Sequence, residues 1–399
     1  MGTLRSTLRV TEPSGLDYLD KARQLGPEIA AAADDIERQR QLPEALVDKL
    51  IGAGLFRLLL PRDFGGAEVD PVTFVRVINE IAKADASTAW VLCQTAGCSM
   101  AAAYLAPQVA GAIYADERDI VAWGPPSGVK AIAEPGGYRV SGTWHFASGG
   151  RHASWFGAAC TLCDAEGQPR LRPDGSPDEQ TLMIPASQAR MNDVWQVIGL
   201  KGTGSDSYTI EDLFVPEERC APRDDPTRVR HPGRLYLFPI RSMFSAGFSG
   251  VGLGIARSAL DGFVELARHK TPRGFSRPIG ENGVVQLQVA QAEGQLRAAE
   301  CFLFDTLEEV WQAVTASGCL SPDQRVLVRL AASHGLQAAR DVVDRAYQLA
   351  GSTAIFTGGG IERRFRDMHA VSQQIQARQD HFEIVGRHLL GLEAESPFM

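Results

Sequence analysis

The chain has 399 residues, of which 44% are hydrophobic and 22% charged, a globular mixture long enough for two or three domains with a sizeable core. A net charge of −8 leaves no basic excess to grip phosphate backbones. Only local clusters such as Arg363, Arg364 and Arg366 occur, so no nucleic-acid partner is expected. No apolar run approaches the roughly 20 residues of a bilayer span, and the N-terminal MGTLRSTLRVTEPSG lacks the apolar stretch of a signal peptide. These point to a cytoplasmic enzyme with no membrane partner.

The first 120 residues read as helices. Leu25, Ile29, Ala32 and Ile36 share one face, as do Phe74, Val77, Ile78 and Ile81. Pro43 opens a helix that Gly52 and Gly54 close. From about residue 121 the texture changes. Turn signals at 123–128 and at Gly136 separate short runs rich in Val, Tyr, Trp and Phe, among them 138–141, 143–146, 181–184 and 208–215. They predict a small antiparallel β-domain over 121–230. Cys160 and Cys163, the only C-x-x-C among seven cysteines, lie in the apolar run WFGAACTLC without a second pair or a neighbouring His. They read as small strand residues, and no metal site is expected. A polar linker at 221–230 leads into long helical patterns over 231–399. Leu296, Ala299, Leu303, Leu307, Val310 and Val314 form one stripe, and Ser321 with Pro322 starts a further helix. Stripes of this length imply a bundle and an oligomer.

Four stretches carry a family likeness. They are GLFRLLLPRDFGGAEVD at 54–70 with INEIAKADASTAW at 78–90, SGTWHFASGG at 141–150, PRGFSRPIGENGVVQLQ at 272–288, and QLAGSTAIFTGGGIERRFRD at 348–367. Together, and in this helical–β–helical order, they resemble the acyl-CoA dehydrogenase superfamily over nearly the whole chain. The resemblance implies a mainly α fold: an N-terminal helical domain over 1–120, a small antiparallel β-barrel over 121–230 and a C-terminal four-helix bundle over 231–399. It also implies a homotetramer, with flavin bound where the β-domain meets the helices and a neighbouring subunit. On this pattern Trp123, Phe146, Ala147 and Ser148 lie against the flavin ring. Arg273 and Phe275, with Gln348, Gly351 and Ser352, hold its nucleotide tail, although the Arg is displaced by one position and its loop is longer.

Dehydrogenation of a thioester needs a carboxylate within reach of the α-proton. The usual position in the family corresponds to Ile375, and the alternative helix, 238–258, contains no Asp or Glu. The loop WGPPSGVK has also lost the family's Glu. The sequence is instead similar to the two-component flavin monooxygenases, whose β-domain carries Phe-x-Ser-Gly-x-x-His-x-x-Trp; here Phe146, Ser148, Gly149, His152 and Trp155 fill those places. That likeness implies reduced FMN or FAD supplied by a separate NAD(P)H:flavin reductase, with molecular oxygen adding at flavin C4a to give a hydroperoxide. A small aromatic substrate, phenol- or indole-like, is then hydroxylated. The chain has no dinucleotide fingerprint between a strand and a helix to bind nicotinamide itself.

Ser148 is the expected partner of flavin N5, and His152 and His369 are the acid–base candidates, since imidazole titrates near neutrality. Trp90, Trp123 and Phe244 are expected to wall the substrate site. Gln374 falls where related oxygenases carry a His, and the helix at 91–100 has no His either. The glycines at 250–254 and 202–204 read as close packing and loop, not phosphate cradles. Two alternatives stay open: an acyl-CoA dehydrogenase acting on an unusual thioester, and a flavin-free structural subunit.

Overall fold

A computed structural model describes residues 15–125, 128–222, 225–358 and 360–392. The N-terminal stretch and the middles of the turn at 123–128 and of the linker after Ala221 lie outside the described residues.

Five helices come first: α1 (Gly15–Gln39), α2 (Glu44–Gly52), α3 (Pro71–Ala84), α4 (Ala86–Ser99) and α5 (Pro107–Ile113). Pro43 is the residue before α2, where its extended backbone sets the entry angle, and Gly54 closes that segment with φ 77°. Asp70 and Asp85 cap α3 and α4 by accepting the amides of Thr73 and Thr88 at 2.8 and 2.7 Å. The face of α4 that meets the rest of the chain is buried almost throughout, so this helix is a central strut.

Strands β1 (Val121–Ala122), β2 (Lys130–Glu134), β3 (Gly137–Trp144), β4 (Trp155–Cys163), β5 (Glu179–Pro185), β6 (Arg190–Asn192), β7 (Ser207–Pro216) and β8 (Cys220–Pro222) form one sheet. Its order is β6-β7-β3-β2-β4-β5-β8, with β1 beside β4. The expected small β-domain is present and most of its strand pairs are antiparallel, with two departures. β1 and β2 both run parallel to β4, and the described strands form an open path from β6 to β8. Parallel pairing needs a crossover, and the loop at 145–154 between β3 and β4 supplies it. Cys160 and Cys163 are buried in β4 and are not joined in a disulfide.

The chain then returns to helix: α6 (Ile240–His269), α7 (Gly283–Ser317), α8 (Pro322–Ala350), α9 (Ile361–Val371) and α10 (Asp380–Leu389). The stripe from Leu296 to Val314 is buried along α7. Ser321 and Gln324 make a reciprocal capping box with Pro322 at the first helical position of α8. Glycines of α6 let it lie tightly on α3: a Cβ at Gly254 would stand 2.4 Å from the Asn79 carbonyl oxygen. Helices of both ends share one hydrophobic core, and the sheet has a second of its own built around Trp144, Phe156 and Tyr208.

Candidate flavin and substrate site

The site forms where α4 meets two loops of the β-domain. β3 ends at Trp144, and the chain turns out of the sheet at Phe146, whose φ of 62° is unusual for a residue with a side chain. The following loop is locked by its own amides. Ala147 N donates to the Asp206 carbonyl at 2.9 Å, Ser148 N to Phe146 O at 2.9 Å, Gly149 N to Thr203 O at 2.9 Å and Gly150 N to Ala147 O at 2.9 Å. Phe146 is left 59% exposed, edge-on to Trp195 with ring centroids 6.2 Å apart. Ala147 and Ser148, next in the loop, are buried.

The second loop, 198–206, is wedged between α1, α4 and α9. A Cβ at Gly202 would stand 2.0 Å from Ile36 Cγ2, and one at Gly199 would stand 2.1 Å from the Arg366 carbonyl oxygen. Only glycine fits either approach. Two residues of α9 pin the loop: Asp367 Oδ1 accepts from Leu200 N at 2.6 Å, and Arg366 Nη1 donates to Ile198 O at 2.7 Å. Asp206 completes the frame, accepting from the Val194 and Trp195 amides at 2.9 and 3.0 Å and from Arg151 Nε at 2.7 Å.

Between the loops runs a buried chain of hydroxyls. Trp90 Nε1 donates to Ser148 Oγ at 3.0 Å. Ser148 Oγ lies 2.6 Å from Ser205 Oγ, which lies 2.7 Å from Thr203 Oγ1. Thr203 Oγ1 donates to Leu200 O at 2.9 Å. Trp90 stacks on Phe248 with centroids 4.0 Å apart, and Phe248 on Phe244 at 5.8 Å, forming an aromatic wall between α4 and α6. Trp123 follows β1 and is buried against Gly157. Its carbonyl accepts from Gln94 Nε2, one turn along α4 from Trp90, at 3.1 Å.

Ser148, Phe146, Ala147, Trp90, Trp123 and Phe244 are therefore gathered around one seam. His152 lies in the same loop, where burial and then the Arg151 charge push its imidazole down to about 4, so it is neutral near pH 7. His369 is placed elsewhere. It pairs through Nε2 with Asp344 Oδ1 of α8 at 2.7 Å and lies tilted against the Phe365 ring, centroids 4.3 Å apart. Two residues of helix separate it from Asp367, about 200° around the axis, so it faces α8 while Asp367 faces the 198–206 loop. Gln374 caps a short turn after α9, its Oε1 accepting the Gln376 amide at 2.8 Å, and its buried Nε2 makes no hydrogen bond.

The five residues expected at the nucleotide tail gather at the far end of the bundle. Lys270 Nζ donates to Ala350 O at 2.6 Å and so ties the start of the 270–280 loop to the turn at 351–355. The helical rise places His269 about 30 Å along α6 from Phe248. Within one chain, then, Arg273, Phe275, Gln348, Gly351 and Ser352 are not brought to Ser148. Phe275 and Phe356 are each 67% exposed at that end.

The seam suits a planar flavin: an exposed aromatic platform, a buried hydroxyl oxygen beside it and a frame of fixed amides. Helical domain, central sheet and helical bundle in this order define a protein of the acyl-CoA dehydrogenase fold. Models of the acyl-CoA dehydrogenase N-terminal and C-terminal domains match residues 18–107 and 246–379. An indole-3-acetate monooxygenase of Pseudomonas putida is 30% identical over 351 residues, 86% of either chain. The oxygenase component of an FADH(2)-dependent resorcinol hydroxylase from a Rhizobium species is 29% identical, with 92% of each chain covered. The crystal structure of 3-HSA hydroxylase from Rhodococcus sp. RHA1 superimposes with a TM-score of 0.87 at 25% identity, over 96% of this chain and 99% of the other. The chain belongs to the acyl-CoA dehydrogenase superfamily, in its branch of flavin-dependent monooxygenase oxygenase components.

Sequence reasoning singles out Ser148 but not Ser205, Thr203, Phe248 or Gln94, which the contacts gather at the same seam. The available signal for the first two was a glycine-rich loop, GLKGTGS, with hydroxyls set between its glycines.

Proposed function

We propose that this chain is the oxygenase component of a two-component monooxygenase that hydroxylates a small phenol- or indole-like aromatic, using reduced FMN or FAD from a separate NAD(P)H:flavin reductase. The observation that carries the reading is Ser148: a buried hydroxyl oxygen two residues after the exposed Phe146, bonded to Trp90 of the stacked wall of Trp90, Phe248 and Phe244. The flavin, when bound, supplies the activation of oxygen. The protein's part is to hold the ring on Phe146 and Ala147, present Ser148 to N5, keep water out with the aromatic wall, and seat the substrate between that wall and Trp123.

The carboxylates around the seam are already engaged. Asp85 caps α4, Asp206 binds Arg151, and Asp367 binds the Leu200 amide. None is a free base for abstraction of an α-proton, which disfavours thioester dehydrogenation. His152, neutral, is the more buried of the two histidines in the 145–154 loop and the candidate for proton transfer, and Gln374 Nε2 is the unmatched donor for a substrate oxygen.

The distance between Ser148 and the residues expected at the flavin tail supports a homo-oligomer, taken as a homotetramer. A second copy would bring its Arg273, Phe275, Gln348, Gly351 and Ser352 to the first copy's ring site, covering the exposed Phe275 and Phe356. No helix among the described residues is long and apolar enough to cross a membrane, consistent with work beside a cytoplasmic reductase.

The test supplies the protein with reduced FMN or reduced FAD, isotopically labelled oxygen and a panel of phenols and indoles. Label in a hydroxylated product is expected, with one flavin preferred. Conversion of all reducing equivalents to hydrogen peroxide across the panel, together with bleaching of bound oxidised flavin by an acyl-CoA, would overturn the reading.

A further inference from the structure

The hydroxyl chain behind Ser148 has a fixed direction. A carbonyl oxygen only accepts, so the Thr203 hydroxyl must donate to Leu200 O. With its single proton engaged there, Thr203 can only accept from Ser205. Ser205 in turn can only accept from Ser148. Trp90 Nε1, a donor alone, gives its proton to Ser148 Oγ. Ser148 thus directs its hydrogen to Ser205, and its oxygen keeps one lone pair that none of these bonds occupies. The backbone cannot compensate, because the amides of Ala147, Ser148, Gly149 and Gly150 all have partners within the protein.

We propose that Ser205 and Thr203 are positioning residues that set the redox state of the flavin this site accepts, by forcing Ser148 to act purely as a hydrogen-bond acceptor. Reduced flavin carries a hydrogen on N5 and matches that acceptor. Oxidised flavin has a bare, accepting nitrogen at N5, so two lone pairs meet. The relay therefore favours the reduced cofactor that a reductase delivers and promotes release of the oxidised one after turnover. This inference rests on the flavin-site reading above and adds to it a cause for the preference.

The test is equilibrium binding of oxidised and of reduced FMN and FAD, the latter anaerobically, to the full-length protein and three variants. Ser205→Ala removes the acceptor for the Ser148 proton and frees it to turn toward N5. Thr203→Val removes the acceptor for the Ser205 proton, so that Ser205 can turn and donate to Ser148. Thr203→Ser keeps the hydroxyl and the direction. The wild type is expected to bind the reduced form more tightly. The ratio of oxidised to reduced Kd should fall about tenfold in Ser205→Ala and Thr203→Val, the worth of exchanging a mismatch for a hydrogen bond, and hold in Thr203→Ser. Circular dichroism identifies a variant that has not folded, and either of the two suffices. A preference for reduced flavin that survives unchanged in both variants overturns the relay while leaving the flavin site intact. A wild type that binds neither flavin in either state overturns the site itself.

Discussion

Asp367 links the C-terminal bundle to the loop that holds the hydroxyl chain, and its carboxyl is 5% exposed. Burial first, and more weakly the Asp85 charge, raise its pKa to about 7, against the lowering effect of the Leu200 amide. In the unfolded chain the same group titrates near 3.8. Between those two values the folded protein holds a proton that the unfolded chain releases. Stability therefore falls as pH rises from about 4 to about 7, with a slope of up to roughly 1.4 kcal/mol per pH unit. Across three units the ceiling is on the order of 4 kcal/mol. Asp367→Asn removes the titration but keeps an oxygen that can accept the Leu200 N–H. Its extra amide hydrogens impose a penalty, but one that does not vary with pH. The difference in unfolding free energy between variant and wild type should shift in favour of the variant as pH rises, and level off above about 7. Denaturant midpoints measured at half-unit intervals from pH 4.5 to 8 would read it. Curves that stay parallel across that range would refute the reasoning and mean that Asp367 is ionised throughout, its bond to Leu200 charge-assisted.

Glu37 should show the opposite slope. Burial would raise it, but hydrogen bonds from Arg366 and Lys201 carry it down to about 2 from 4.5, so its contribution is present above pH 4.5 and lost as pH falls toward 2; Glu37→Gln should flatten acid unfolding in that window. Gly97→Ala places a Cβ 2.3 Å from the Phe244 ring, which must move into the pocket. KM for bulky aromatics should rise severalfold while the Kd for flavin stays within about twofold, and equal effects on both would contradict the placement of Phe244 at the substrate. His369→Gln removes a half-exposed pair with Asp344, worth about 1 kcal/mol or less. Turnover should remain within about threefold, whereas a hundredfold loss, about 2.7 kcal/mol of barrier, would return His369 to the reacting centre.

Much of this fold is legible because its signals are local. The stripe on α7 and the Ser321–Pro322 start of α8 depend on spacing and capping within a few residues. The sheet is less legible, since alternation marks strands but not their partners. The parallel pairing of β2 with β4 follows from how the chain crosses between β3 and β4. Residues 143–146 look like one strand by composition, yet the chain leaves the sheet after Trp144. What draws it out is the bond from Ala147 N to Asp206 O, a partner far along the sequence. For the same reason Ser148 could be singled out by its motif while Ser205, 57 residues later, could not. His369 illustrates the converse: adjacency to Arg366 and Asp367 in sequence placed it near the flavin, but helical rotation turns it toward Asp344.

The Glu362–Asp367 segment, the strongest family match, acquires a physical meaning from these contacts. Glu362 orients Arg366 through Nε at 2.6 Å, Arg366 reaches Ile198 O, and Asp367 takes the Leu200 amide. These bonds position Leu200, whose carbonyl is the terminal acceptor of the hydroxyl chain. The direction of the proton on Ser148 is thus fixed by a segment of the C-terminal bundle that never needs to touch the cofactor. If that is so, loosening the Arg366 contact should blur the redox preference before it weakens flavin binding. A motif shared with thioester dehydrogenases would then act in this chain as the anchor of an oxygenase's hydrogen-bond polarity, while Ile375 stands where the family resemblance leads one to expect the carboxylate that dehydrogenation requires.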